Sequence, residues 1–303
     1  MSDVPRVSVL MTAWNPGAYF QDAFESLLAQ TFENFEFILI DNGSTDGSVN
    51  DDRLHTDKRI RFQRLPQNIG RTPALRLGAQ LARGEYIAVL DADDVTYPER
   101  LARQVAFLDQ QRDVVVLGCW CHLIDKDGQQ IGEWSPPAVT HASVDSLAGV
   151  NPIMHSSVMY RRDAAEAAGG YPTAFPYAQD FALWLAMSAY GRITVLPEYL
   201  TAIRILSTSL TRGVSERLDA TWDTLVLHEQ ISRELPLTSW GRRKNRRARA
   251  VSAIQYGWAL FRNCQRLAGL RWILTGVARD PKAVLENNSA RRLIGMTPKP
   301  VWD

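Results

Sequence analysis

The sequence predicts an α/β fold: a mainly parallel central sheet flanked by helices, followed by a helical carboxyl-terminal extension. Over the first hundred residues, short β-branched runs alternate with segments of helical period, the order that builds βαβ units. Residues 86–90 (YIAVL) are apolar on both faces, as a central strand covered on both sides must be. From residue 218 onward only helical periodicity remains. The 303 residues are 46% hydrophobic and 22% charged, enough for a large core plus an appendage and incompatible with wholesale disorder.

Residues 7–12 (VSVLMT) form the first strand. Residues 19–31 place Phe20, Ala23, Phe24, Leu27 and Leu28 on one helical face, which makes them the crossover helix. Strands follow at 35–40 and 60–62, a helix at 72–82, and the central strand at 86–90. Pro98 suits the first turn of a helix running to about residue 109, where its missing N–H costs nothing. Residues 114–117 give another buried strand, and Cys119 and Cys121 alternate as strand residues do. Residues 126–129 (KDGQ) form a hairpin-like turn, and 134–137 (WSPP) begin an irregular stretch. Asp163 and Glu166 open a short helix with capping-box spacing, which Gly169 and Gly170 close. A last helix of this half covers 180–190 and stops at Gly191.

Three cysteines without zinc-site spacing point to a reducing compartment. The amino terminus lacks the charged head and apolar run of a signal peptide, and no uncharged apolar stretch is long enough to span a membrane. A cytoplasmic location is the expectation.

In an open parallel sheet, ligands sit beyond the carboxyl ends of the strands. Four polar clusters follow strands or open helices there: Thr12 to Asn15, Asp41 to Asp46, Asp91-Ala92-Asp93-Asp94, and Gln179-Asp180. A turn accounts for the second taken alone, and a helix N-cap for Asp180. The third is different, because three carboxylates within four residues at the end of a buried strand repel one another unless a cation neutralises them. Oxygen-only donors favour a hard divalent ion, Mn²⁺ or Mg²⁺, completed by water and diphosphate oxygens.

In order and spacing, residues 5–15 (PRVSVLMTAWN), 30–36 (QTFENFE), 40–48 (IDNGSTDGS), 68–70 (NIG), 82–87 (ARGEYI), 90–94 (LDADD), 155–162 (HSSVMYRR) and 179–184 (QDFALW) resemble the inverting GT-A-fold glycosyltransferases of family 2. The resemblance covers about 210 residues. It implies a Rossmann-like catalytic domain over 1–212, with the nucleotide-sugar side at 1–118 and the acceptor side at 119–212, and a helical region over 213–303. It also implies a nucleotide-diphosphate sugar donor, UDP-linked by preference, a divalent metal, and a glycan or glycolipid acceptor of a surface polysaccharide or glycolipid pathway. Position by position, Thr12 and Trp14 match residues around the base, and Asp41 and Asn42 the pair that recognises it. Arg71 falls near base or ribose, Asp91 and Ala92 in the donor-binding turn, and Asp93 at the metal ligand, with Asp94 behind it. Asp180 matches the general base that takes the acceptor proton. Two departures stand out: Gln179 replaces the usual Glu, and Arg204-Ile205-Leu206 replaces Arg-x-His, which makes His155 a candidate for the missing histidine's role and Arg204 a residue of interest.

Residues 241–279 hold ten Arg/Lys and no Asp or Glu; subtracting these ten from the net charge of +1 leaves −9 on the rest. Val251, Ile254, Trp258 and Phe261 form an apolar stripe there, continued by Cys264 and Ala268. Such a helix either packs on the catalytic domain or lies on an anionic membrane surface as a peripheral anchor at its inner face. Nucleic acid is not an expected partner, since no recognition motif accompanies the basic run. Two other readings compete: a degenerate nucleotide-sugar-binding module, and a nucleotidyltransferase. The three acids at 91, 93 and 94 disfavour the first. The second lacks its glycine-rich amino-terminal loop.

Overall fold

The computed structural model describes residues 4–136, 144–149, 151–206 and 217–286. The chain divides into two compact units: Met1–His141, Pro152–Ala174 and Gln179–Ile205 form one, and Ala142–Asn151, Phe175–Ala178 and Leu206–Asp303 the other. The expected boundary at residue 212 lies outside the described residues.

The first unit runs β1 (Val7–Ala13), α1 (Tyr19–Leu28), β2 (Phe35–Asp41), α2 (Arg53–Thr56), β3 (Ile60–Arg64), α3 (Arg71–Leu81), β4 (Tyr86–Val89), β5 (Val95–Thr96), α4 (Arg100–Gln110), β6 (Val114–Ile124) and β7 (Gln130–Trp134). After α5 (Val144–Leu147) of the second unit, it resumes with a 3₁₀ turn at His155–Ser157, β8 (Met159–Arg161), α6 (Arg162–Ala167), α7 (Gln179–Met187) and β9 (Arg192–Arg204). The strands form one sheet ordered β3-β2-β1-β4-β8-β6-β9-β5, with β7 paired to β6. β3, β2, β1 and β4 are parallel, as the βαβ pattern requires. β8 then enters antiparallel between β4 and β6, and β6 and β9 run parallel. Phe20, Phe24 and Leu27 of α1 and Leu101, Val105 and Leu108 of α4 pack on Val7, Val9, Met11, Phe37, Leu39 and Tyr86. Burying these aliphatic and aromatic faces supplies the main driving force.

Several local expectations change. β6 continues to Ile124 rather than ending at residue 117, because its second half pairs with β7 across the turn at 125–129. Pro98 sits ahead of α4 rather than in its first turn; its carbonyl accepts from Thr31 N at 2.9 Å, tying the turn to the end of α1. No capping box forms at α6, since the helix starts at Arg162 and Asp163 spends its carboxylate on Ala164 N at 2.7 Å.

The second unit holds α8 (Leu218–Glu234), α9 (Ser239–Arg262), α10 (Arg266–Arg279) and a 3₁₀ segment at Pro281–Glu286. The apolar stripe on α9 is largely internal to this unit: Ile254 is fully buried, and Val251 and Trp258 pack beside Val277 and Ala283. The stripe does not run on to Ala268 as expected, because the helix ends at Arg262 and Cys264 turns the chain with φ of +62°. A Cβ on Gly257 would lie 2.7 Å from Gly269 O, so glycine at that crossing is what lets α9 and α10 touch backbone to backbone. Among the described residues, no helix is long and apolar enough to cross a membrane.

Candidate functional site

The parallel register aligns the carboxyl ends of three strands. Ala13 pairs with Asp41, and Leu10 with Val89, so the segments after β1, β2 and β4 emerge at one edge of the sheet. Trp14 stands between the other two turns and is 58% exposed among the described residues, an unusual state for a Trp. Thr12 is half-buried just before it. Asn15, with φ of +49°, accepts from Thr45 N at 2.8 Å, while its own N–H donates to Ser44 Oγ at 3.0 Å. This pins the turn after β1 to the turn after β2.

Asp41 and Asn42 occupy that second turn but are turned inward. Asp41 is fully buried and accepts from Arg64 Nε at 2.6 Å and Ser44 N at 2.9 Å. Asn42 is 97% buried and accepts from Ile69 N at 3.0 Å while donating to Asn68 Oδ1 and Gly70 O, each at 3.2 Å. Asn42 therefore holds the 67–70 loop in place, while Asp41 is paired with Arg64. Gly43 permits the approach: a Cβ there would sit 2.5 Å from Gln67 C, and its φ is +76°.

Arg71 opens α3 and meets the turn after β4. Its Nη2 donates to Asp91 Oδ2 at 2.6 Å and lies 3.1 Å from His155 Nδ1. His155 Nδ1 also lies 3.4 Å from Asp91 Oδ1, so the imidazole sits beside both the guanidinium and the carboxylate. On the other side of the ring, Nε2 lies 3.0 Å from Tyr171 Oη. Burial works against charge on Asp91, but Arg71 and His155 outweigh it and hold the carboxyl well below the usual carboxylate range. Desolvation likewise opposes charge on Arg71, and Asp91, Asp180 and Asp93 together raise its pKa nonetheless. Asp91 is the carboxylate bonded to the guanidinium, while Asp93 and Asp180 act on it through their charge.

Asp93 and Asp94 differ in role. Ser156 Oγ donates to Asp94 Oδ2 and accepts from Asp91 N at 3.0 Å, and Asp94 Oδ1 accepts from Arg204 N at 2.7 Å. Burial, then the charges of Asp93 and Asp91, push Asp94 well up, and its bonds to Ser156 and the Arg204 N–H make it a structural acid inside the turn. Asp93 is left as the acid whose carboxylate takes no hydrogen bond from another described residue. Burial and the Asp91 charge push it up to about 6, against the pull of Arg71. Ala92 between them is 93% buried and fills the turn. Among the described residues no three His, Cys, Asp or Glu side chains converge as a ready metal cage. A single under-compensated carboxylate fits a hard divalent ion that takes its other ligands from water and diphosphate, as such ions often do.

Arg204 is also committed. Its Nε donates to Asp93 O at 2.9 Å, Nη1 to the carbonyls of Asp125 and Lys126 at 3.1 and 3.3 Å, and Nη2 to Asp22 at 2.9 Å. With the guanidinium carbon 4.7 Å from the Tyr19 ring centroid, this buried side chain braces the Asp93 backbone. His155 equally serves Arg71 and Tyr171.

Two contributors were missed in the sequence. Ser156 joins Asp91 to Asp94, and Arg100, 99% buried, donates from Nη2 to Val89 O and Val158 O, both at 2.9 Å, where β4 ends. A polar residue in the HSS segment was visible but carried no sign of its partner. Nothing in the pattern of α4 marks an arginine as buried.

Residues 8–169 match the family model described as glycosyl transferase family 2. An uncharacterized glycosyltransferase of Haemophilus influenzae is 28% identical over 216 residues, 68% of this chain and 67% of that protein. Among solved structures, residues 1–349 of S. aureus TarS in complex with UDP-GlcNAc superpose with a TM-score of 0.65 at 17% identity, over 95% of this chain and 85% of that one. The mannosyltransferase PcManGT of Pyrobaculum calidifontis, in complex with GDP-Man and Mn²⁺, gives 0.63 at 18% identity over 97% and 79%. At these identities the likeness shows the fold, which is GT-A.

Proposed function

The chain belongs to glycosyltransferase family 2 and is a transferase, and from that premise we propose that it moves a sugar from a nucleoside-diphosphate donor to an acceptor hydroxyl, with metal assistance and inversion. The observation that carries the proposal is the 2.6 Å pairing of Arg71 with Asp91 in the acidic turn after β4, where the Asp93 carboxylate stands without a hydrogen-bonding partner among the other described residues. Thr12 and Trp14 lie where a base and ribose can stack, with Asp41 and Asn42 framing the loop behind them. Asp91, oriented by Arg71 and His155, faces the ribose or the diphosphate.

A divalent ion, Mn²⁺ or Mg²⁺, held by Asp93 and diphosphate oxygens would neutralise charge developing on the leaving group. Asp180 takes the proton of the acceptor hydroxyl as its oxygen bonds to the anomeric carbon, and the bond to the diphosphate breaks on the opposite face. Arg71 adds positive charge beside the departing oxygens. No protein acid is needed on that side. UDP is the nucleotide to test first, since TarS binds UDP-GlcNAc; PcManGT, bound to GDP-Man, makes GDP the control.

We extend the proposal to a glycan or glycolipid acceptor and to peripheral contact with an anionic membrane surface, supported by ten basic and no acidic residues over 241–279. Donor hydrolysis over a panel of UDP and GDP sugars, with and without Mn²⁺, tests the reaction. Metal-stimulated release of one nucleotide is expected; no turnover of any donor with or without metal would return the chain to a binding module.

A further inference from the structure

Among the described residues, an apolar face of the helical unit stays exposed. On α10, Leu267, Leu270 and Leu274 are 87%, 48% and 58% exposed, and Ala278 is exposed beside them. Their spacing of three and four residues puts them on one side of the helix, while Gly269 and Gly276 on the other side are buried against α9. At about 100° per residue, Arg266 and Arg271 fall on the two margins of the leucine stripe. Neither forms an ion pair among the described residues.

We propose that this face of α10 is the surface that docks on an anionic lipid bilayer; the assignment rests on the membrane contact proposed above and says which residues make it. Three leucines in a row beside two unneutralised guanidiniums match the layering of a bilayer surface, acyl chains under phosphate groups. A second copy of the chain fits less well. A symmetric pairing through this face would bring the arginines of both copies together, and residues 241–279 offer no carboxylate to meet them. The stripe expected from the sequence to do this work, Val251 to Phe261, is unsuited to it because Ile254 is buried and Val251 and Trp258 are packed in the unit's own core.

The test uses the full chain with vesicles of phosphatidylcholine, with and without phosphatidylglycerol. The wild-type chain should sediment with the phosphatidylglycerol vesicles only, and leave them as salt approaches about 1 M, where the Debye length is about 3 Å. Replacing the stripe (Leu267→Ser, Leu270→Ser, Leu274→Ser) should weaken binding at least about a hundredfold. Arg266→Gln with Arg271→Gln should weaken it about thirtyfold. All five side chains are outside the catalytic unit, so donor hydrolysis and helicity by circular dichroism should match wild type in both variants. If the wild-type chain ignores anionic vesicles, the membrane proposal itself fails. If it binds and both variants bind equally well, the membrane contact stands and the assignment to α10 is overturned. If the chain forms dimers without lipid and the leucine variant abolishes them, the face belongs to a second copy and the assignment is likewise overturned.

Discussion

Arg204 donates from Nε to the carbonyl oxygen of Asp93 at 2.9 Å while its backbone N–H, 2.7 Å from Asp94 Oδ1, holds the next acid. One residue at the end of β9 therefore fixes both the backbone and the side-chain order of the acidic turn after β4. Because the guanidinium is buried and bonded on all three nitrogens, its removal would leave several carbonyls and Asp22 unmet.

Arg204→Ala is expected to cost about 3 kcal/mol of stability, the range for stripping a buried charged donor from its acceptors. Arg204→Lys should recover little, since an ammonium cannot span three directions at once. Urea unfolding of the purified chain measures both, and a loss within experimental scatter would show that the clamp contributes nothing.

Asp93→Ala should abolish Mn²⁺-dependent binding of UDP and leave the fold intact, because the change also relieves repulsion with Asp91. Calorimetry with UDP, with Mn²⁺ and with chelator, decides it. An affinity unchanged in the variant removes Asp93 from the metal.

Asp180→Asn keeps the shape and loses the basic lone pair, so turnover should drop by about 10²-fold or more while donor affinity stays near wild type. A variant that turns over normally assigns Asp180 to Arg71 and the start of α7 alone.

Trp14→Ala removes the exposed ring at the end of β1. If a base stacks there, affinity for the free nucleotide should fall roughly 5- to 100-fold, as for other base-stacking aromatics, with no change in melting temperature. Equal nucleotide affinity in wild type and variant would place the base elsewhere.

His228 gives a pH prediction away from the site. Burial holds this imidazole, bonded through Nδ1 to Ser252 Oγ at 2.8 Å, down to about 4 from an ordinary 6.5. Between those values the unfolded chain binds a proton that the folded chain refuses, so stability falls as pH drops from about 6.5 to about 4, by up to about 3 kcal/mol, and the effect is absent above 6.5. Denaturant midpoints across that range should flatten in His228→Gln, by comparison with wild type.

The sequence by itself determined the order of β1 to β4 with α1 and α3 between them, and the edge of the sheet where polar turns gather. These depend on hydrophobic period and on turn residues, which act over a few neighbours and can be seen along the chain. It also marked Asp91, Asp93 and Asp180 as acids of interest. Only the tertiary structure decided what each charge does. Arg71 and Asp91 are 20 residues apart, Arg204 and Asp93 are 111, and His155 reaches Asp91 across 64. Whether an acid is paired, protonated or left to bind a ligand depends on such distant partners and on burial, so Asp41 turned inward to Arg64, Asp94 became a structural acid, and Asp93 was left to itself. The helical unit shows the same division: periodicity found the apolar stripe on α9, and packing buried it and left the leucines of α10 outside. An amphipathic pattern records which residues avoid water together, but the neighbour that covers them is chosen by the fold.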